Sequence, residues 1–196
     1  MSKYGRKSTE GKLSLDMLIG LSMFLVTFIF VAQFLPGVFA DVRYEISLGS
    51  QAYRIATLLV EDSGYPADWD SKVYPSNCDS YEFRIGLANF DYTKGTEENH
   101  LNTSKILKVD ELMGYPICRE KIEDYLGLNV GNQSYHFNFS LKQLNGSVLV
   151  SGGGEVPEMG QVMKFERLVY VDNCTAIPCD TVAGRCVCRL EVVVWT

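Results

Sequence analysis

Six cysteines are the residues of this sequence whose type and spacing most directly suggest chemistry. They are Cys78, Cys118, Cys174, Cys179, Cys186 and Cys188. Thiolates bind zinc, but a structural zinc site prefers pairs of cysteines two to four residues apart. The last four cysteines are separated by four, six and one residues, which fits a disulfide-bonded hairpin better. An even number of cysteines in an exported domain also favours disulfides, so we predict three bonds and keep zinc as the alternative.

A hairpin also predicts which of these cysteines pair. If Cys174 lies opposite Cys188, the apolar residues of the two strands fall on one face in register. The pairs in that register are Tyr170–Val192 and Leu168–Val194. The predicted disulfides are then Cys174–Cys188, Cys179–Cys186 within the hairpin, and Cys78–Cys118 as the remaining bond.

Other motifs in the chain lack the spacing of a catalytic, metal or cofactor site. The three glycines of "SGGGEVPEMG" are not followed by the helix and the Lys-Ser/Thr ending of a phosphate-binding loop. The two histidines, His100 and His136, show no spacing typical of a Ser/His/Asp arrangement. A calcium-loop pattern does not occur either. We therefore expect neither an enzyme nor a bound cofactor or metal.

The charge distribution divides the chain into a basic start and an acidic remainder. Lys3, Arg6, Lys7 and Lys12 face only Glu10 before an apolar segment, whereas the formal net charge of the whole chain is −6. Nucleic-acid binding needs a face rich in lysine and arginine, so we expect no nucleic-acid partner. Basic residues beside an apolar segment stay on the cytoplasmic side of a membrane, which predicts an N-terminus inside the cell.

The apolar segment runs from Leu13 to Phe34, and Asp16 is its single charged residue. As a helix its 22 residues span roughly 33 Å, which matches the hydrocarbon core of a bilayer. A cleavable secretory signal has a shorter core and a small-residue cleavage site, for which "VFADV" is the weak alternative. We expect one membrane crossing, with membrane lipid around it and the rest of the chain outside.

Five Asn-x-Ser/Thr sequons follow the apolar segment, as the cysteines do. They are Asn102, Asn132, Asn138, Asn145 and Asn173. This distribution predicts a glycosylated outer surface. The alternative is that these asparagines are polar turn residues, since Asn145-Gly146 is a strong hairpin signal by itself.

A long helix is predicted from about Leu13 to Asp62, with a kink or interruption at Pro36. Gly64 and Pro66 follow its predicted end, where glycine can cap a helix and proline cannot continue one. The second half of the helix has an apolar face at spacings of four, three and four residues, formed by Leu48, Ala52, Ile55 and Leu59. This half needs a partner surface.

An antiparallel sheet is the predicted partner surface. "SYHFNFSLKQL" alternates, with Tyr135, Phe137, Phe139 and Leu141 on one face, and "SVLVSGGG" follows the Asn145-Gly146 turn to complete a hairpin. "MKFERLVYVDNC" and "CVCRLEVVVWT" predict a second strand pair. The fold class is therefore α+β. The predicted organisation is a basic leader at 1–11, a helix at 12–62 and a disulfide-stapled extracytoplasmic head at 63–196.

The stretch "GKLSLDM", residues 11–17, resembles the class III signal of archaeal type IV pilin-like proteins. That family is cleaved after a glycine, ahead of a Q-x-S-x-E-F pattern that starts a long hydrophobic helix. In this chain the cut falls between Gly11 and Lys12, Ser14 matches the serine, and Asp16 stands at the glutamate position. Lys12, Asp16 and Met17 depart from the glutamine, glutamate and phenylalanine of the pattern. The stretch "AYRIATLLVEDSGYPADW" also resembles the segment after the anchor in uncharacterised archaeal surface proteins that carry this signal.

The resemblance implies a pilin-like fold, a prepilin-type peptidase that removes the leader, and assembly with other pilin-like subunits. It also implies a role for Asp16, because the new N-terminal amine can pair with a carboxylate of a neighbouring subunit as helices bundle. An acid at a helix N-terminus that is favoured by the helix dipole is the simpler alternative. We expect a structural or accessory subunit of a surface filament. The alternatives are a membrane-anchored surface protein that never polymerises and an extracytoplasmic binding module.

Replacement of Gly11 by Val tests the predicted cleavage. The variant should keep the leader, because a peptidase that cuts there needs a small residue at the scissile bond. Intact-mass measurement of the membrane-fraction protein should give a chain starting at Lys12 for the wild type and at the leader for Gly11→Val. The same mature mass for both proteins would contradict cleavage at this site.

Overall fold

The first helix of the protein is unusually long. A computed structural model of the protein describes residues 15–130 and 133–196. Helix α1 (Leu15–Glu61) contains 47 residues and ends one residue before the predicted Asp62. The predicted start at Leu13 lies outside the described residues. Helical structure continues through Pro36, so the helix is not interrupted there; a proline removes only one helical hydrogen-bond donor.

The chain divides into two compact units, and their boundary lies within α1, between Tyr44 and Glu45. In the second unit, one face of α1 is buried. Its core residues are each exposed by 1% or less: Leu48, Ala52, Ile55, Ala56, Leu59 and Val60. The predicted apolar face is therefore confirmed.

Short helices and strands follow α1 and confirm the α+β class. The helices are α2 (Trp69–Lys72), α3 (Thr103–Met113) and α4 (Pro116–Tyr125). The strands are β1 (Ala88–Asp91), β2 (Gly95–Leu101), β3 (Asn129–Val130), β4 (Gln133–Ser134), β5 (His136–Lys142), β6 (Val148–Gly153), β7 (Val162–Val171), β8 (Asp180–Val182) and β9 (Arg185–Trp195). Strands β3 and β4 form a small separate ladder.

Seven strands form one mixed sheet in the order β1-β2-β7-β9-β5-β6, and β8 pairs with the start of β9. The predicted hairpin of β5 and β6 is confirmed, with Gly146 at a positive φ of 95° in its turn. The pairing of β7 with β9 is confirmed as well. The predicted inward face of β5 is buried, with Tyr135, Phe137, Phe139 and Leu141 exposed by 2% or less.

One strand pair departs from the predicted antiparallel sheet. Strands β2 and β7 are parallel, with Leu101 opposite Val171. Helix α3 follows β2 directly, and Asp172 follows β7. The Asp172 carboxylate accepts hydrogen bonds from the Thr103 N–H, at 2.9 Å, and from the Thr103 hydroxyl. A carboxylate is favoured at a helix N-terminus, so this cap fixes the end of β2 beside the end of β7.

All six cysteines form disulfides, which confirms three bonds and excludes the zinc alternative for them. The Cys78–Cys118 pairing is confirmed. The other two predicted pairings, Cys174–Cys188 and Cys179–Cys186, are wrong, because the bonds are Cys174–Cys186 and Cys179–Cys188.

The strand register explains this correction. Val169 lies opposite Cys188, and Tyr170 lies opposite Val187 rather than the predicted Val192. Strand β9 begins early because Ala183 and Gly184 both have positive φ and make a two-residue hairpin turn from β8. The connection between β7 and β8 therefore supplies both partner cysteines. Cys186 and Cys188 are two residues apart and share one face of β9.

The end of α1 is joined to the segment before β1. The N–H groups of Leu87 and Ala88 donate to the carbonyls of Leu59 and Asp62 at 2.9 and 3.1 Å. Carbonyls at a helix C-terminus lack partners within the helix, and these two N–H groups satisfy two of them. The approach is close because Gly86 has no side chain: a Cβ there would lie 2.3 Å from the Asp62 carbonyl oxygen.

Replacement of Gly86 by Ala should therefore destabilise the protein. The added methyl group meets backbone atoms of Asp62 and Gly64, and such overpacking costs about 1 to 3 kcal/mol. Gly49→Ala is the matched control, since a Cβ there meets only Met163 side-chain atoms at 3.8 and 3.9 Å. Within a helix that change should stabilise by about 0.5 to 1 kcal/mol.

Thermal unfolding of the full-length variants in detergent measures both effects. We expect a lower melting temperature for Gly86→Ala and an equal or higher one for Gly49→Ala. Equal melting temperatures for the wild type and Gly86→Ala would contradict the close contact.

Candidate functional site

The apolar part of α1 is the first candidate site. Among the described residues, one helical segment, Asp16–Gly37, is long and apolar enough to cross a membrane, with a mean hydropathy of 2.3. Every residue of this segment is exposed. Asp16 lies in the first turn of α1, where the helix dipole favours an acid. The other residues of the predicted processing and assembly motif, Gly11, Lys12 and Ser14, lie outside the described residues.

Hydroxyl groups in this segment bond to its own backbone. Ser22 donates to the Leu18 carbonyl at 2.7 Å, and Thr27 reaches the Met23 and Phe24 carbonyls at 2.9 Å. Such bonds let a polar side chain sit in apolar surroundings without a water partner. The segment is therefore compatible with a bilayer, and equally with a bundle of apolar helices. A signal sequence near the N-terminus can meet the same criteria of helix length and hydropathy.

The described sequons fall at four different structural positions. Asn102 is the N-cap of α3, and Asn138 lies within β5. Asn145 lies in the turn between β5 and β6, and Asn173 follows β7. Asn132 lies outside the described residues.

A cleft of about 600 Å³ lies where β2, β7 and the β8–β9 turn meet. Its charged and aromatic lining includes Glu97, Glu98, His100, Tyr170, Asp172 and Arg185. Glu97 accepts hydrogen bonds from Asn89 at 2.9 Å and pairs with the His100 Nδ1 at 2.7 Å, and these contacts lower the pKa of Glu97. The Arg185 guanidinium lies 5.2 Å from the centre of the Tyr170 ring. Within this lining, Glu97 and His100 therefore pair with each other, and Arg185 lies over an aromatic ring.

Lys105 is a buried cation that links three parts of the head. Its side chain is 3% exposed, and its Nζ donates to the carbonyls of Ser63 and Ala88 at 2.7 and 3.0 Å. Burial lowers the pKa of Lys105, and nearby carboxylates, led by Asp70, partly oppose that effect. The ammonium group satisfies two carbonyls at the junction of α1 and β1, so its role here is structural.

An ionic cluster crosses the middle of the sheet. Glu191 on β9 is 5% exposed and contacts Lys142 of β5 at 2.7 Å and Lys164 of β7 at 2.9 Å. Burial raises the pKa of Glu191, but the hydrogen bonds from the two lysines outweigh it and lower the pKa to about 2. The cluster therefore joins the three central strands by charge-assisted hydrogen bonds.

Metal binding finds no support in the part of the chain that the structure describes, where no group of three or more His, Cys, Asp or Glu residues could hold an ion. The two histidines each lie beside a glutamate instead. His100 pairs with Glu97, and His136 Nδ1 lies 3.6 Å from the Glu123 carboxylate. Burial raises the pKa of Glu123, and His136 opposes this shift.

Comparison with known proteins identifies the family. Residues 8–195 match the family of unknown function DUF7287. The chain belongs to this family. A protein of Archaeoglobus fulgidus, described as uncharacterized, is 64% identical over 186 residues, which cover 95% of this chain and 98% of that protein. No solved structure matches the chain.

The DUF7287 match includes both the apolar helix and the last strand of the head. The apolar segment is therefore a regular part of this kind of protein and not an addition specific to one chain.

Sequence reasoning did not identify Lys105 and Glu191 as buried charged groups of this DUF7287 protein. Lys105 lies in "SKILKVDELM", where a lysine near the start of an amphipathic helix is typical of a solvated face. Glu191 lies in "CRLEVVVW", and a lone acid within a run of buried β-branched residues was a signal that could have indicated a paired carboxylate. The identity of its partners depends on strand order, which the sequence does not show.

Replacement of Glu191 by Gln should lower stability near neutral pH by about 1.5 to 3 kcal/mol, the range for hydrogen bonds to charged groups. The pKa of Glu191 is depressed in the folded state. Its contribution is therefore present above its ordinary value of 4.5 and is lost as the pH falls from there toward about 2. The wild-type melting temperature should fall over that range more steeply than that of Glu191→Gln.

Glu111→Gln is the matched control for this measurement. Glu111 also contacts a lysine, Lys108 at 2.7 Å, but its side chain is 46% exposed. An exposed pair on a helix contributes about 0.5 kcal/mol or less. Equal effects of the two substitutions, or parallel pH profiles for the wild type and Glu191→Gln, would contradict the role of the buried cluster.

Proposed function

We propose that this protein is a structural or accessory subunit of an archaeal type IV pilus-like surface filament. The observation that carries the proposal is the exposed apolar segment of α1, whose only charged residue, Asp16, lies at its start. A filament subunit needs such an apolar segment at two stages, because the helix lies in lipid before assembly and among other helices afterwards. The disulfide-stapled head supports an extracytoplasmic location.

In this proposal, a prepilin-type peptidase cuts between Gly11 and Lys12 after the chain has inserted with its N-terminus in the cytoplasm. The new amine of Lys12 is then positive and enters an apolar bundle as subunits assemble. The Asp16 carboxylate of a neighbouring subunit pairs with it and reduces the desolvation cost of both charges. Other pilin-like subunits are the partners, and glycans on the head face the surroundings of the cell.

Simple anchoring is the second candidate function. The internal hydroxyl bonds of Ser22 and Thr27 suit permanent residence in lipid as well as a helix bundle. A single-pass surface protein would then present the head, and the cleft beside β2 and β7 would serve a binding module. In that case Asp16 only favours the start of the helix.

Asp16→Asn separates these two functions. If Asp16 pairs with the amine of a neighbour, removal of one partner from a buried pair costs about 3 to 5 kcal/mol at every subunit contact. Filament yield should then fall sharply, while cleavage and the level of the protein in the membrane fraction stay normal. If Asp16 only interacts with the helix dipole, the loss is about 0.3 to 1 kcal/mol and the yield is unchanged.

Two controls accompany this test, which measures sheared surface filaments containing the chain. Asp16→Glu keeps the charge and should retain the yield. Glu120→Gln removes a negative charge from an exposed position of the head and should also retain it. A wild-type filament yield from Asp16→Asn would overturn the assembly role and leave anchoring as the function.

A further inference from the structure

The described sequons differ in whether their amide nitrogens are open to a modifying enzyme. N-glycosylation joins the asparagine Nδ2 to a sugar, so it requires an accessible Nδ2 atom and room around it. The hydrogen bonds of the four asparagines and their exposure separate them into two pairs. This inference rests on the proposed export of the head, and it does not depend on polymerisation.

The side chains of Asn102 and Asn138 make hydrogen bonds within the fold. Both are only partly exposed. The Nδ2 of Asn138 donates to the Gly154 carbonyl at 3.0 Å, and Ser140, the hydroxyl residue of that sequon, is 5% exposed. The Oδ1 of Asn102 caps α3 by accepting from the Lys105 N–H at 3.2 Å, while its Nδ2 donates to Asn89 at 3.3 Å. A glycan on either nitrogen would remove these contacts.

Asn145 and Asn173, in contrast, lie on the surface of the head. Both are exposed, and so are the hydroxyl residues of their sequons, Ser147 and Thr175. In each case the asparagine Oδ1 accepts the backbone N–H of the hydroxyl residue, at 2.8 Å for Ser147 and 2.9 Å for Thr175. This turn holds the amide on the surface with its oxygen toward the chain, which leaves the nitrogen facing away from the backbone. The Asn145 Nδ2 donates to the partly exposed Gln143 side chain at 3.2 Å.

The two open sequons lie at the same end of the sheet. Strands β5 and β7 each run antiparallel to β9, so their C-terminal ends coincide. The turn after β5 and the connection after β7 are in contact, since Gln143 donates to the Pro178 carbonyl at 2.7 Å. Helix α1 enters the head at the opposite end, where Tyr53 packs on Phe165 at a ring distance of 5.2 Å. Further along α1, the Glu61 carboxylate forms an ion pair with Arg167 of β7.

We propose that the head carries N-linked glycans at Asn145 and Asn173, at the end of the sheet opposite the entry of α1, and none at Asn102 or Asn138. The donor is a polyprenyl-phosphate-linked oligosaccharide. The Nδ2 of each asparagine forms a bond to the anomeric carbon and loses one proton. The bond from that carbon to the phosphate oxygen breaks, and the polyprenyl phosphate leaves.

Intact-mass spectrometry of the full-length protein from an archaeal host that glycosylates exported proteins tests this proposal. Every variant carries Asn132→Gln, so that the fifth sequon adds nothing. We expect two glycan masses on this parent, one after Asn145→Gln, one after Asn173→Gln and none after both. Thr175→Ala should remove the glycan from Asn173, whereas Thr175→Ser should keep it, because serine preserves the sequon.

Glycopeptide analysis of the same parent avoids any folding defect of the Asn102 and Asn138 variants. The peptides that contain these two residues should be unmodified. A glycan on either of them, or the absence of a glycan from Asn145 or Asn173, overturns the proposal. Recovery of the parent in the membrane and filament fractions is measured on the same sample, so a failure of export or assembly is distinguished from a failure of glycosylation.

Discussion

Burial of the second half of α1 is the constraint on which the head depends. Leu48, Ile55, Leu59 and Val60 are each exposed by 1% or less, and a fully buried side chain of this kind contributes about 1.5 to 3 kcal/mol. Strand β7 of the sheet supplies part of the opposing surface, since Phe165 packs on Tyr53 and Arg167 contacts Glu61. The end of the helix must then meet the segment before β1, and only a glycine at position 86 permits the observed backbone approach.

The first half of the same helix has the opposite environment. Its residues from Asp16 to Gly37 are apolar and exposed, and an uncovered apolar surface of this length is not stable in water. Lipid or other apolar helices must therefore cover it. In the filament proposal, lipid covers the segment before assembly and other apolar helices cover it afterwards. Asp16 acts in the step between these two states. Three disulfides and the central ionic cluster stabilise the head.

Local patterns in the sequence predicted the elements well, while long-range pairing was predicted poorly. The apolar face of α1 and the alternation in β5 follow from helical and strand periodicity, so they were readable directly. The Asn145-Gly146 turn was likewise a local signal.

The disulfide pairing failed because the register between β7 and β9 depends on the Ala183-Gly184 turn, which places β8 beside β9. The parallel pairing of β2 with β7 depends on the contact between Asp172 and Thr103, which lie 69 residues apart. Lys105 and Glu191 have partners on elements distant in sequence, so their burial could not be inferred from neighbouring residues.

Photo-crosslinking from the apolar helix tests most directly whether protein or lipid covers it. A photoreactive phenylalanine analogue replaces Phe24, whose side chain is 61% exposed. Irradiated cells are then separated into membrane and sheared surface fractions. The filament account predicts crosslinks to a second copy of this chain or to another pilin-like subunit in the surface fraction, and lipid adducts in the membrane fraction. Lipid adducts alone, with no protein crosslink in either fraction, would contradict it.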